Sequence, residues 1–129
     1  METFGNSQKP SYLLSWIYLI FAFLGAVLPT LANVDFMQQF GPAFDINLFV
    51  KLSNANPAAQ SLSRDLLIAA SSITVWIIIE SKRLGMKYLW LVLLSSITIA
   101  FAFAAPLFLC LRERRLIEIY NLNQKDYNL

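Results

Sequence analysis

The side chains able to do acid, base or nucleophilic chemistry are few in this chain. There is no histidine and only one cysteine, Cys110. That removes the commonest metal ligands, the Ser–His and Cys–His pairs, and any disulfide within the chain. Cys110 lies in an apolar run and reads as a small packing residue. The carboxylates that flank the longest apolar stretches are Asp65 and Glu80. General acid–base work would fall to them, and neither has a second catalytic group in its sequence neighbourhood. The expectation is therefore a protein that is not an enzyme, with no catalytic residue, metal site or cofactor. Asp65 and Glu80 read instead as members of edge ion pairs that fix helix register. Asp65 would meet Arg64, Arg112 or Asn33, and Glu80 would meet Lys82 or Arg83. A sharper alternative makes Asp65 and Arg112 an anchor for a lipid headgroup or a partner protein.

The remaining polar atoms in the apolar runs are hydroxyls. The tetrapeptide SSIT occurs at Ser71–Thr74 and again at Ser95–Thr98. A hydroxyl in a helix bonds to a carbonyl one turn back, which removes most of its burial cost. Residues four apart share a helix face. Ser96, Ala100 and Ala104 have that spacing, as do Ala70 and Thr74, and Ala22, Ala26 and Thr30. Small residues in register let membrane helices approach closely. Ser72, Thr74, Ser96, Ala100, Ala104, Ala22 and Ala26 are thus the expected packing residues, with the two SSIT copies facing each other. The alternative is a polar lining for a ligand path.

These residues must be positioned by elements suited to lipid. The chain has 129 residues, 57% of them hydrophobic and 14% charged. Its mean hydropathy is +0.56. A domain of this size buries only about two thirds of its surface, so the excess apolar surface calls for a bilayer. The net charge is +2 with scattered basic residues, which argues against nucleic acid as a partner. Three stretches reach the roughly 20 apolar residues a span requires: residues 12–32, 62–81 and 88–111. The expected fold is all-α, a single integral membrane domain of three transmembrane helices. The first span is read as a retained helix rather than a cleaved leader, because its apolar run is long and its basic flank is a lone Lys9.

The loop after the first span carries DINLFVKL. Asp45 is a good N-cap, and Ile46, Phe49 and Val50 share one face, so a short interfacial helix is expected over 45–52. A short link, ESKRLGMK, joins the second and third spans into a tight hairpin, and residues 112–129 form a tail. Tyr12, Trp16, Trp76, Tyr88 and Trp90 would make an aromatic belt on one side. Pro29 and Pro106 each free the carbonyl four residues earlier, at Gly25 and Ala102. Two bends at similar depth would open a shallow pocket, or be ordinary kinks. With three spans, Lys9, Lys82, Arg83 and Lys87 fall on one side. Lys51, Arg64, Arg112, Arg114, Arg115 and Lys125 fall on the other. The larger set leans the C-terminus toward the cytoplasm, by a margin small enough to leave dual insertion open.

Five stretches in order carry a resemblance: FLGAVLP (23–29), FDINLFVKLSNANP (44–57), RDLLIAASS (64–72), ESKRLGMKYLW (80–90) and PLFLCLRERRL (106–116). Together they resemble an uncharacterised family of small bacterial and cyanobacterial membrane proteins, catalogued as a domain of unknown function. The resemblance implies a multi-pass protein of a bacterial inner membrane or a cyanobacterial membrane. It brings no activity and no catalytic residue, but draws attention to Asp65, Glu80, Trp90, Pro106 and Arg112. The function expected is that of a non-enzymatic accessory or assembly component. Its partners would be the lipid bilayer and a membrane protein or a second copy of itself. The alternative is a small dimeric transporter or a lipid- or pigment-binding protein.

Overall fold

The structure, a computed structural model, describes residues 9–128. Among them it is all-α, with five helices and no strand. Helix α1 runs Tyr12–Phe40, α2 Ile46–Ser53, α3 Pro57–Arg83, α4 Leu89–Thr98 and α5 Phe101–Tyr127.

Helix α1 continues about two turns past the expected end near Ala32, with Pro29 inside it. Beyond Pro29 it carries Phe36, whose ring lies 5.3 Å from Phe44 and 5.5 Å from Phe49. This aromatic cluster ties α1 to α2 and offsets the cost of extending the helix. Gly41 then stops it, with φ 132° and its N–H bonded to the Met37 carbonyl at 2.9 Å.

Helix α2 forms where the Asp45 cap and one-sided apolar spacing place it. The Asp45 carboxylate accepts the Leu48 N–H at 3.1 Å. Helix α3 begins earlier than the span at 62 suggested. Asn56 caps it by accepting the Ala59 N–H at 2.9 Å, and Pro57 occupies the first helical position, where a missing N–H costs nothing.

The third expected span does not form one helix. Residues 88–111 divide at Ile99 and Ala100. Ile99 has φ −108° and ψ −75°, and Ala100 is extended at φ −175° and ψ 153°. Local chemistry weakens the helix there. Ile97, Thr98 and Ile99 are three β-branched residues in succession. The hydroxyls of Ser95, Ser96 and Thr98 donate to the carbonyls of Val92, Leu93 and Leu94 at 2.8, 2.7 and 3.0 Å. Such bonds bend helices. Tertiary packing completes the reversal. Val92 of α4 lies in one buried cluster with Ala104 and Phe108 of α5 and Ile77 of α3, with Met86, Leu89 and Leu111 packed around it. Helix α4 therefore folds back along the first half of α5.

Helix α5 also runs antiparallel to α1, along its longest interface. Ser15 meets Cys110 at one end of the contact, and Gly25 meets Ala102 at the other. Helix α3 reaches α5 only near its own C-terminal end, through Trp76–Phe108 and Glu80–Arg112. Among the described residues α1 and α3 share no extensive contact. The expected bundle of three spans is thus replaced by two long helices flanking a helical hairpin.

This reversal also moves the basic tail. Ser11 bonds Glu113, Arg115 bonds the Leu84 carbonyl and Arg112 bonds Glu80. The start of α1, the α3–α4 link and residues 111–118 of α5 therefore lie at one end of the molecule. A third segment crossing once would put Arg112, Arg114, Arg115 and Lys125 at the end opposite Lys9, Lys82, Arg83 and Lys87. The hairpin puts them at the same end.

Candidate functional site: the hairpin turn and its charged rim

The turn at Ile99–Ala100 lies against the middle of α1. Gly25 is the residue that admits it. A Cβ there would overlap the carbonyl of Ala102 and crowd the N of Phe103. Pro29 and Pro106 remove the usual donors to the carbonyls of Gly25 and Ala102. The two residues whose carbonyls are freed are thus the two brought into contact. That contact lies one turn before each of the prolines expected to edge a shallow pocket. Helix α5 opens at Ala100 without a capping side chain, and Ile97 on the outer face of the turn is 85% exposed.

The small residues serve different ends from those their spacing suggested. Ala22 is buried, on the face of α1 that carries Ser15 and Gly25. Ala26 is half-buried and its carbonyl accepts the Thr30 hydroxyl. Ala104 is buried between α4 and α5. Ala100 is the turn itself, so Ser96, Ala100 and Ala104 do not form a stripe on one helix. Ser72 and Thr74 donate to the carbonyls of Ile68 and Ala70 at 2.8 and 2.7 Å, and Ser72 is exposed. The two SSIT copies do not face each other. The first lies within a continuous helix and the second ends one.

At the rim, Glu80 is 5% exposed and its Oε1 accepts from Arg112 Nε at 2.8 Å and Arg83 Nη2 at 2.9 Å. Arg112 also lies over the Trp76 ring at 5.8 Å, and Trp76 stands edge-on to Phe108 at 5.6 Å. The buried carboxylate, the Arg112 guanidinium and two aromatic rings thus lock α3 to α5, while Arg83 pairs within α3. The Ser81 hydroxyl beside them is buried and has no hydrogen-bond partner among the described residues.

A second cluster joins α1 to α5. Glu113, 6% exposed, accepts the Ser11 N–H at 2.8 Å, at the start of α1 where the helix dipole favours a negative charge. Ser15 is 1% exposed, 3.3 Å from the Cys110 sulfur, and accepts from Arg114 Nε at 3.2 Å. Sequence reasoning passed over Ser11, Ser15 and Glu113, and met Gly25 and Arg114 only as a freed carbonyl and a member of the basic tail. The signal was present in the spacing of Ser11, Ser15, Ala22 and Gly25 along one face of α1. Asp65 and Arg64 lie at the other end of α3, exposed and without an ion pair among the described residues. The expected approach of Asp65 to Arg112 does not occur, because Arg112 is held near the opposite end of α3.

The class defined by this architecture is an all-α protein in which two helices, α1 and α3, are long and apolar enough to cross a membrane. The chain belongs to DUF2834, a family of proteins of unknown function, whose profile it matches over residues 17–114. No curated protein and no solved structure matches it.

Proposed function

We propose that the chain is a non-enzymatic integral membrane protein, acting as an accessory or assembly component that packs against other membrane helices. In this reading α1 and α3 cross the bilayer, and α4–α5 enters from one face and returns. One observation carries it. The chain reverses at Ile99–Ala100, against Gly25 in the middle of a 29-residue apolar helix. At 1.5 Å per residue α1 is about 43 Å long, enough to exceed a hydrocarbon core of about 30 Å. Non-helical backbone at membrane depth persists only where protein or a water-filled cavity covers it. In the single chain the outer face of the turn and most of α3 are uncovered, which supports a partner helix or a second copy.

Charge supports an orientation. Lys9, Lys82, Arg83, Lys87, Arg112, Arg114, Arg115 and Lys125 gather at the end where α5 emerges, and only Lys51 and Arg64 at the other. The positive-inside rule then favours a cytoplasmic rim, in the bacterial inner or cyanobacterial membrane that the resemblance implies. Three variants, Lys87→Cys, Gln124→Cys and Asn54→Cys, test this with a membrane-impermeant maleimide. The Asn54→Cys protein should label in intact spheroplasts, and the other two only after lysis. Labelling of both Gln124→Cys and Asn54→Cys in intact spheroplasts would instead require a third crossing.

The broken helix favours one second reading, a small dimeric transporter or lipid- or pigment-binding protein. Discontinuous helices at mid-depth are where transporters place substrates and ions. Retention of a small molecule by wild type and its loss on Ser96→Ala, with assembly unchanged, would favour that reading.

A further inference from the structure

The α3–α4 link and α5 enclose a cleft of about 330 Å³ at the rim, lined by Lys87, Tyr88, Arg114, Arg115 and Glu118 above Met86 and Leu111. Its charges are three basic and one acidic. Two of the basic groups are held in place. Arg115 Nε donates to the Leu84 carbonyl at 3.0 Å, and its Nη1 pairs with Glu118 at 2.8 Å. Gly85, at φ +63°, turns the link tightly beside the same guanidinium. Arg114 is anchored through Nε to Ser15 at 3.2 Å, which leaves its terminal nitrogens without a partner among the described residues. Lys87 is exposed and makes no ion pair among them. The floor is apolar, since Met86 and Leu111 pack against the buried cluster of α4 and α5. Tyr88 stands exposed at one wall.

A cationic rim over an apolar floor matches a phosphate ester that carries an apolar body. Guanidinium groups present paired donors to phosphate oxygens, and a lysine adds a mobile point charge. One carboxylate against three cations leaves a surplus suited to a phosphodiester. We propose that this cleft binds the phosphate of an anionic phospholipid headgroup, with the acyl chains running down the exposed face of α4 along Leu91 and Leu94. Basic pockets beside membrane helices on the cytoplasmic side hold such headgroups. The proposal rests on the membrane reading above.

The test is native mass spectrometry of the full chain, purified in detergent, delipidated and titrated with phosphatidylglycerol, phosphatidylcholine or glycerol 3-phosphate. One phosphatidylglycerol should be retained with at least tenfold preference over phosphatidylcholine. Lys87→Glu, a change at a side chain that makes no ion pair, should abolish the preference with an unchanged circular dichroism spectrum. Arg64→Gln at the far end should leave it intact. Equal retention of both lipids by wild type, or an unaffected Lys87→Glu variant, overturns the proposal. Displacement of the lipid by glycerol 3-phosphate supports the phosphate site and assigns its source to a soluble ester. Alkaline carbonate extraction of native membranes separates the two readings. If the chain is released, the membrane reading fails and the lipid assignment with it. Glycerol 3-phosphate binding, sensitive to Lys87→Glu, then decides whether the cleft takes phosphate at all.

Discussion

Glu80 shows how the setting of one residue decides what it is worth. It holds two arginines, but they are not equivalent. Arg83 sits three residues along the same helix with its side chain 68% exposed, whereas Arg112 comes from α5 and is 26% exposed. Water screens the first pair, and pairs of that kind contribute about 0–1 kcal/mol. Breaking the second leaves a buried carboxylate short of a partner and costs about 3–5 kcal/mol. Arg83→Gln should therefore shift stability by less than about 1 kcal/mol, while Arg112→Gln should lower it by about 3 kcal/mol. Thermal unfolding in detergent, followed by circular dichroism, measures both. Equal effects would contradict the assignment of Arg112 as the buried partner. The Glu80–Arg83 pair was legible because it is local, at spacing i, i+3. Arg112 was not, because its position beside Glu80 depends on the chain reversing twelve residues earlier.

At the scale of elements, the contact between α1 and α5 is set by backbone rather than side-chain volume. Ser15, Ala22 and Gly25 keep one face of α1 small, and Gly25 takes the Ala102 carbonyl where a side chain would stand. Overpacking a close contact costs about 1–3 kcal/mol. Gly25→Leu should exceed the upper end of that range, since the obstacle is backbone that cannot rotate away. Gly41→Ala offers a contrast, with open space around the Cβ but a φ of 132° that strains any side chain. The expected result is loss of the folded, monodisperse species for Gly25→Leu, and a retained fold with a loss of about 1–3 kcal/mol from backbone strain for Gly41→Ala. A Gly25→Leu protein as stable as wild type would mean that α5 does not meet α1 there. Helix α2 could be read from its Asp45 cap and one-sided spacing, since both signals are local. The break in the third apolar run could not. Hydropathy counts apolar residues without recording direction, and the same tetrapeptide SSIT continues α3 yet ends α4. The difference lies in what each copy packs against, which no window of sequence contains.

For the whole molecule, the reversal determines everything else. It gathers eight of the ten basic residues at one end. It builds the cleft between Lys87 and Glu118. It brings Gly25 and Ala102, the residues whose carbonyls the two prolines free, into contact. Among the described residues it also leaves α3 attached to the rest only near its two ends, so that most of one long apolar helix is available to another protein. The most direct measurement is the distance between spin labels introduced by Lys87→Cys and Glu118→Cys, read by double electron–electron resonance. Both residues line one cleft in the structure, so the expected separation is short. A continuous third helix would hold them about 46 Å apart at 1.5 Å per residue, and a distance near that value would contradict the hairpin and the orientation built on it.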